Sequence, residues 1–102
     1  MRRSEILQTL EARRDELVGM GVKSLAIFGS AARDEARPES DVDVLVEFAG
    51  PATFNGYMDL KFFLEDLLGR PVDLVTSRSI RPRLKERIES EAQYVQGLQA
   101  LS

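Results

Sequence analysis

The sequence contains neither cysteine nor histidine. Without Cys there is no disulfide, thiol nucleophile, iron–sulfur cluster or Cys-built zinc site. Without His, the commonest general base and the commonest metal ligand are both missing. Ser-His-Asp and Cys-His nucleophilic systems, H-E-x-x-H zinc sites and c-type haem attachment are therefore excluded. Any catalysis must run on carboxylates, hydroxyls, backbone amides and Lys or Arg, a donor set that suits a hard, oxygen-liganded cation. An excess of positive charge is lacking too. The formal net charge is −3, which argues against bulk attraction to nucleic acid or anionic lipid while leaving room for a local basic patch. No apolar run approaches the ~20 residues of a membrane span. Glu11, Arg13, Arg14, Asp15 and Glu16 interrupt any signal-peptide core. The expectation is a cytoplasmic protein with no membrane partner.

What remains is a chain of 102 residues in which 43% are apolar and 30% charged, the balance of a folded globular protein. The length fits one domain, residues 1–102, that buries roughly 60–70% of its unfolded surface in one modest core. Residues 4–20 have helical spacing, with Ile6, Leu10, Leu17 and Val18 on one stripe and Gly19 and Gly21 as the stop. The apolar run 24–28 ends abruptly at Gly29-Ser30 and predicts a buried strand. Residues 31–40, with Pro38 near their end, predict a short helix or loop. Alternation over 41–48 makes the clearest strand. Tyr57, Leu60, Leu64, Leu67 and Leu68 predict a helix over 54–68, closed by Gly69 and Pro71. A third strand covers 72–76. Ile80, Leu84, Ile88, Ala92 and Val95 step at helical intervals over 80–95, with Pro82 in the first turn. The order α-β-(α)-β-α-β-α predicts an α/β (α+β) fold, a small mixed sheet with helices packed around it.

Three features converge on chemistry. Gly29-Ser30 closes a buried strand, where a glycine lets a ligand approach the main chain and a hydroxyl with free amides suits phosphate oxygens. Asp41 and Asp43 lie at i and i+2 on a strand and project from one face. Two such carboxylates repel unless a cation sits between them or one is protonated. A solvated edge strand is the plain alternative. Asp73 is flanked by Val72, Leu74 and Val75, and must be paired, exposed on one face, or a ligand. If its strand neighbours that of Asp41 and Asp43, the three carboxylates share a face and can hold one or two Mg²⁺ ions. The pattern Gly-Ser, ten residues, Asp-x-Asp is specific. With each residue type at roughly 6% of positions, it arises by chance in ~90 windows with probability on the order of 10⁻³.

These residues resemble a known signature. Gly29-Ser30…Asp41-Val42-Asp43 is similar to that of the DNA polymerase β-like nucleotidyltransferase superfamily. Phe28 to Arg33 together with Ser40 to Phe48 resembles specifically the minimal nucleotidyltransferases, single-domain MntA-like antitoxins paired with a HEPN-domain toxin. The resemblance covers residues 4 to about 95. It implies that Gly29 and Ser30 bind the β- and γ-phosphates of ATP, that Asp41 and Asp43 ligate Mg²⁺, and that Asp73 is the third carboxylate, near the attacking hydroxyl. Arg33 has the family spacing for a phosphate contact, although a solvated helix charge explains it equally well. The family often has Gly after that arginine; here Asp34 stands there, implying a different turn and one more acid near the phosphates.

The expected activity is transfer of AMP from ATP to a tyrosine hydroxyl of a HEPN-type ribonuclease toxin, with a stable heterocomplex as its setting. Nucleotidyl transfer needs Mg²⁺, an in-line hydroxyl and little covalent chemistry from the protein. The alternative is a non-catalytic module that neutralises the toxin by contact. The chain is too short for the extra substrate domain of aminoglycoside-modifying relatives. Arg78, Arg81, Arg83, Lys85 and Arg87 form a basic run. It is either a solvated helix face or a contact for ATP, RNA or an acidic partner. Phe54, Tyr57, Phe62 and Phe63 are assigned to core or partner-facing packing rather than base stacking, and no direct nucleic-acid partner is expected.

Overall fold

Val42, Val44 and Val46 alternate with Asp43, Leu45 and Glu47, and this alternation organises the molecule. In the computed structural model, which describes residues 2–35 and 40–98, they form strand β2 (Val42–Phe48). It lies between β1 (Val22–Phe28), antiparallel to it, and β3 (Val72–Thr76), parallel to it. A two-residue strand β4 (Gln93–Tyr94) joins the far edge of β1, giving the order β3-β2-β1-β4. The sheet is mixed, as predicted, with one short strand more than expected.

The three valines face a core in which they are wholly buried. They meet Leu25 and Ile27 of β1 and Val72 and Leu74 of β3. Ile6 and Leu10 of α1 (Arg3–Glu11), Leu17 of α2 (Arg14–Gly19) and Leu60, Leu64 and Leu68 of α4 (Phe54–Leu68) close that side. The opposite sheet face presents Ser24, Ala26 and Phe28 of β1, Asp43, Leu45 and Glu47 of β2, Asp73 and Val75 of β3, and Tyr94 of β4. Helix α5 (Pro82–Glu91) packs over part of it. Among the described residues no helix is long and apolar enough to cross a membrane.

Helix α4 has the predicted bounds for local reasons. The Thr53 hydroxyl accepts a hydrogen bond from the Gly56 N–H at 3.0 Å, capping its start. At its end Gly69 takes the left-handed conformation, φ 68°. One face of α4 also covers the free edge of β3. The Lys61 ammonium donates to the Val72 carbonyl at 2.7 Å, the Val72 N–H donates to Glu65 at 2.9 Å, and the Tyr57 hydroxyl donates to the Leu74 carbonyl at 2.5 Å. These bonds occupy backbone groups that would otherwise invite another strand. Those to Val72 and Lys61 also hold the Glu65 carboxyl below its ordinary range, the backbone bond contributing most.

Several boundaries differ from expectation. The helix expected over 4–20 is broken at Ala12 and Arg13, where the turn facing the core offers only Arg13 and Arg14. The break lets Leu17 return to the core and leaves Val18, expected on the same stripe, 57% exposed. The first strand begins two residues early at Val22, and β2 begins one residue late, leaving Asp41 just outside it. The short helix expected after residue 30 begins at Gly29 as α3 (Gly29–Ala32); Pro38 lies outside the described residues. The helix expected over 80–95 stops at Glu91, because Ala92 is extended and Tyr94 and Val95 turn to β1, with the Val95 N–H donating to the Leu25 carbonyl at 2.8 Å. Val95 is buried as expected, but Ile80 and Ile88 are only half-buried and Leu84 is exposed. Tyr57 and Phe63 pack against the core, whereas Phe54 and Phe62 are exposed.

Candidate active site

The site forms where β1 ends. Phe28 is the register partner of Asp43, and Asp43 is the register partner of Asp73. Three neighbouring strands therefore set one row across the sheet, and the two carboxylates share its open face. After Phe28 the backbone turns directly into α3 through Gly29, at φ 65°. A Cβ at Gly29 would overlap the Asp43 carboxylate, with its Cγ only 3.3 Å away. Glycine is required twice over, by the left-handed backbone and by the close approach. Ser30 follows, half-buried, on the first turn of α3.

Asp43 is half-buried; Asp41 and Asp73 are exposed. Burial pushes the Asp43 carboxyl above its ordinary range, the charges of Asp73 and Asp41 push it further, and Arg33 opposes them. Asp41, Asp73 and Arg33 thus lie near enough to Asp43 to act on its charge. Among the described residues, however, no three acidic side chains converge closely enough to form a ready-made metal cage.

Arg33 is fixed from two sides. Its Nε donates to Glu35 at 2.7 Å and its Nη1 to Glu91, the last residue of α5, at 3.3 Å. The bond to Glu35 holds the guanidinium further above its ordinary range. Neither glutamate was found by sequence reasoning. Glu91 stands 58 positions away, and only the packing of α5 against α3 brings it near. The expectation that Asp34 adds an acid near the phosphates is corrected. Asp34 adopts φ 61°, the conformation that glycine would take there. Its carboxylate is turned to the start of α1, accepting the Arg3 N–H at 2.9 Å.

Along the same sheet face runs a cleft of about 550 Å³, lined by Ser24, Leu45, Glu47, Ser77, Arg78 and Tyr94 and roofed by Pro82, Lys85 and Glu89 of α5. Burial, helped by Glu89 and Glu47, pushes the Tyr94 hydroxyl above its ordinary range, so it remains neutral.

Residues 6–95 match the nucleotidyltransferase domain family. The chain belongs to that family. Within it, the nucleotidyltransferase is 38% identical over 92 residues to the protein adenylyltransferase MntA of Thermococcus cleftensis, covering 89% of this chain and 93% of that one. It is 47% identical over 76 residues to a proposed protein adenylyltransferase of Methanocaldococcus jannaschii, covering 74% and 82%. A solved structure of a proposed minimal nucleotidyltransferase shares 41% identity and a TM-score of 0.71 over 91% of this chain and 95% of that one. A toxin–antitoxin structure with AMP-PNP has a TM-score of 0.70 at 24% identity, over 97% and 76%, and shares the fold. The protein is thus an enzyme of the minimal nucleotidyltransferase type.

Proposed function

We propose that this nucleotidyltransferase transfers AMP from ATP to a tyrosine hydroxyl of a HEPN-type ribonuclease toxin, and so acts as the antitoxin of a toxin–antitoxin pair. The observation that carries the reading is the register pairing of Asp43 with Asp73 beside Gly29, a carboxylate face next to a backbone turn open to phosphate. The adenylyltransferase MntA among its relatives supports the reaction. A solved complex of a tri-AMPylated HEPN toxin with its antitoxin, one chain of which shares this fold with a TM-score of 0.60 at 21% identity, supports the partner.

The donor set fits Mg²⁺. It is all carboxylate, and a bound cation would oppose both the burial and the repulsion from Asp73 and Asp41 that raise Asp43. Mg²⁺ is commonly held by one or two carboxylates, with substrate phosphates and water completing the shell. Asp41, Asp43 and Asp73 would hold the ion, which when bound neutralises charge on the triphosphate and on the oxygens of the displacement.

The residues then divide the work. The Gly29 and Ser30 amides and the Ser30 hydroxyl bind the β- and γ-phosphates, and Arg33 adds charge-assisted hydrogen bonds to them. Asp73, exposed on the outer strand, takes the proton of the tyrosine hydroxyl. The freed oxygen bonds to the α-phosphorus, the bond from that phosphorus to the bridging oxygen breaks, and pyrophosphate leaves. The exposed side chains of Phe54, Phe62, Val18 and Leu84 are available for contact with the partner.

The test is incubation of the purified protein with Mg²⁺, α-labelled ATP and a purified HEPN toxin. Label on the toxin, lost when its acceptor tyrosine becomes Phe or when Asp43 becomes Asn, supports the reading. An unlabelled toxin that is nonetheless inhibited by stoichiometric binding contradicts it.

A further inference from the structure

Helix α5 contains no buried residue, yet its last residue reaches the nucleotide side of the site. The Glu91 carboxylate lies between two arginines. Its Oε2 accepts from Arg33 Nη1 at 3.3 Å, and its Oε1 stands 3.9 Å from Nε of Arg87, one turn earlier on α5. Glu35 takes the Nε–H of Arg33 at 2.7 Å. A guanidinium offers five N–H donors. Among the described residues two are engaged by glutamates, Nε–H by Glu35 and one Nη1–H by Glu91, and three remain for an incoming phosphate.

We propose that Glu91 is a positioning residue that orients Arg33 toward the phosphates of ATP, and that α5 thereby contributes to nucleotide binding without touching the nucleotide. The inference rests on the reading of Arg33 as a phosphate contact. Arg33 is half-exposed, and an unrestrained arginine of that kind loses rotamer freedom when it binds. Two carboxylate partners meet that entropic cost in advance. Arg87 stands on the other side of Glu91, so the order Arg87–Glu91–Arg33–Glu35 runs from the exposed surface of α5 to the edge of the site.

The direction of the effect separates positioning from simple charge. Glu91 is an anion near a binding site for a polyanion, so if it acted only through its charge, removing it would tighten ATP. Positioning requires the opposite.

The experiment is calorimetric titration of Mg²⁺–ATP into the intact protein and its Arg33→Ala, Glu91→Ala, Glu91→Gln and double Arg33→Ala/Glu91→Ala variants, with Tm recorded for each. Arg33→Ala is expected to weaken ATP about 10-fold and Glu91→Ala about 3- to 10-fold, the scale of one charge-assisted hydrogen bond. Glu91→Gln, whose amide oxygen still accepts the Nη1–H, is expected to bind within about 2-fold of the parent. In the Arg33→Ala background, Glu91→Ala is expected to add less than about 2-fold, because the two residues act as one unit. Tighter binding in Glu91→Ala, or an equal loss with and without Arg33, overturns the inference while leaving Arg33 on the nucleotide. Unchanged affinity in Arg33→Ala overturns the phosphate role of Arg33 itself.

Discussion

Asp43 on β2 and Asp73 on β3 are register partners in a parallel pair, so two carboxylates occupy one sheet face on strands about 4.8 Å apart. Nothing in folding rewards that placement. Burial and the charges of Asp73 and Asp41 hold the Asp43 carboxyl above its ordinary range.

A raised carboxyl has a defined effect on stability. The folded state binds the Asp43 proton more tightly than the unfolded chain, so stability is greatest below the unfolded pKa and is lost as pH rises through the folded one. In Mg²⁺-free buffer at pH 7, Asp43→Asn should therefore have a higher Tm than the parent. The gain should vanish as pH falls through the carboxylate range, about 4. The same variant should lose AMP transfer by about 10²-fold or more. Thermal melts across pH beside a transfer assay check both; a lower Tm at pH 7 would show that Asp43 serves the fold.

Gly29→Ala should damage fold and site together. Its backbone lies at φ 65°, and an added methyl meets the Asp43 carboxylate. A cost of about 1–3 kcal/mol is expected, with loss of ATP binding because Asp43 and the α3 turn must move apart. Urea unfolding and calorimetric ATP titration measure the two effects. A variant with parent stability and affinity would contradict the close approach.

Tyr57→Phe isolates the support beneath Asp73. It keeps the ring against the core and removes the hydroxyl that donates to the Leu74 carbonyl. A loss of about 0.5–1.5 kcal/mol in urea unfolding is expected, with faster amide exchange along β3. An unchanged midpoint and unchanged exchange would mean that α4 does not secure this edge.

The elements with local punctuation were legible in the sequence. Gly69 and Pro71 close α4, and the valine alternation of β2 has one reading. The site carboxylates were legible because Asp is out of place in a strand, at Asp43 and again at Asp73 within Val72–Thr76. The parallel pairing that sets them opposite was conditional on strand order, which no local pattern contains. Strand β4 was missed because Val95 falls at helical spacing from Ile88 and Ala92; the long-range pairing of Gln93 and Tyr94 with β1 and the Val95 bond to Leu25 decide against helix. The break between α1 and α2 follows from Arg13 and Arg14 on what would be the core side. Asp34 was recognised as a departure, but its contact with Arg3, 31 positions away, has no local signature. The same holds for Glu91.

The three aspartates divide the labour in the proposed reaction. In the proposed mechanism Asp41 and Asp43 serve the metal and triphosphate, and Asp73, on the outer strand, acts mainly on the acceptor side, as a metal ligand there or as base for the hydroxyl. The most direct measurement is a pair of assays on Asp73→Asn: calorimetric titration with Mg²⁺–ATP, and labelled-AMP transfer to a HEPN toxin. Beside it, Asp41→Asn and Asp43→Asn should lose both ATP affinity and transfer. Asp73→Asn should keep most of the Mg²⁺–ATP affinity while transfer falls by about 10²-fold or more, the scale of a lost general base. Transfer at the parent rate by Asp73→Asn would contradict the three-carboxylate mechanism.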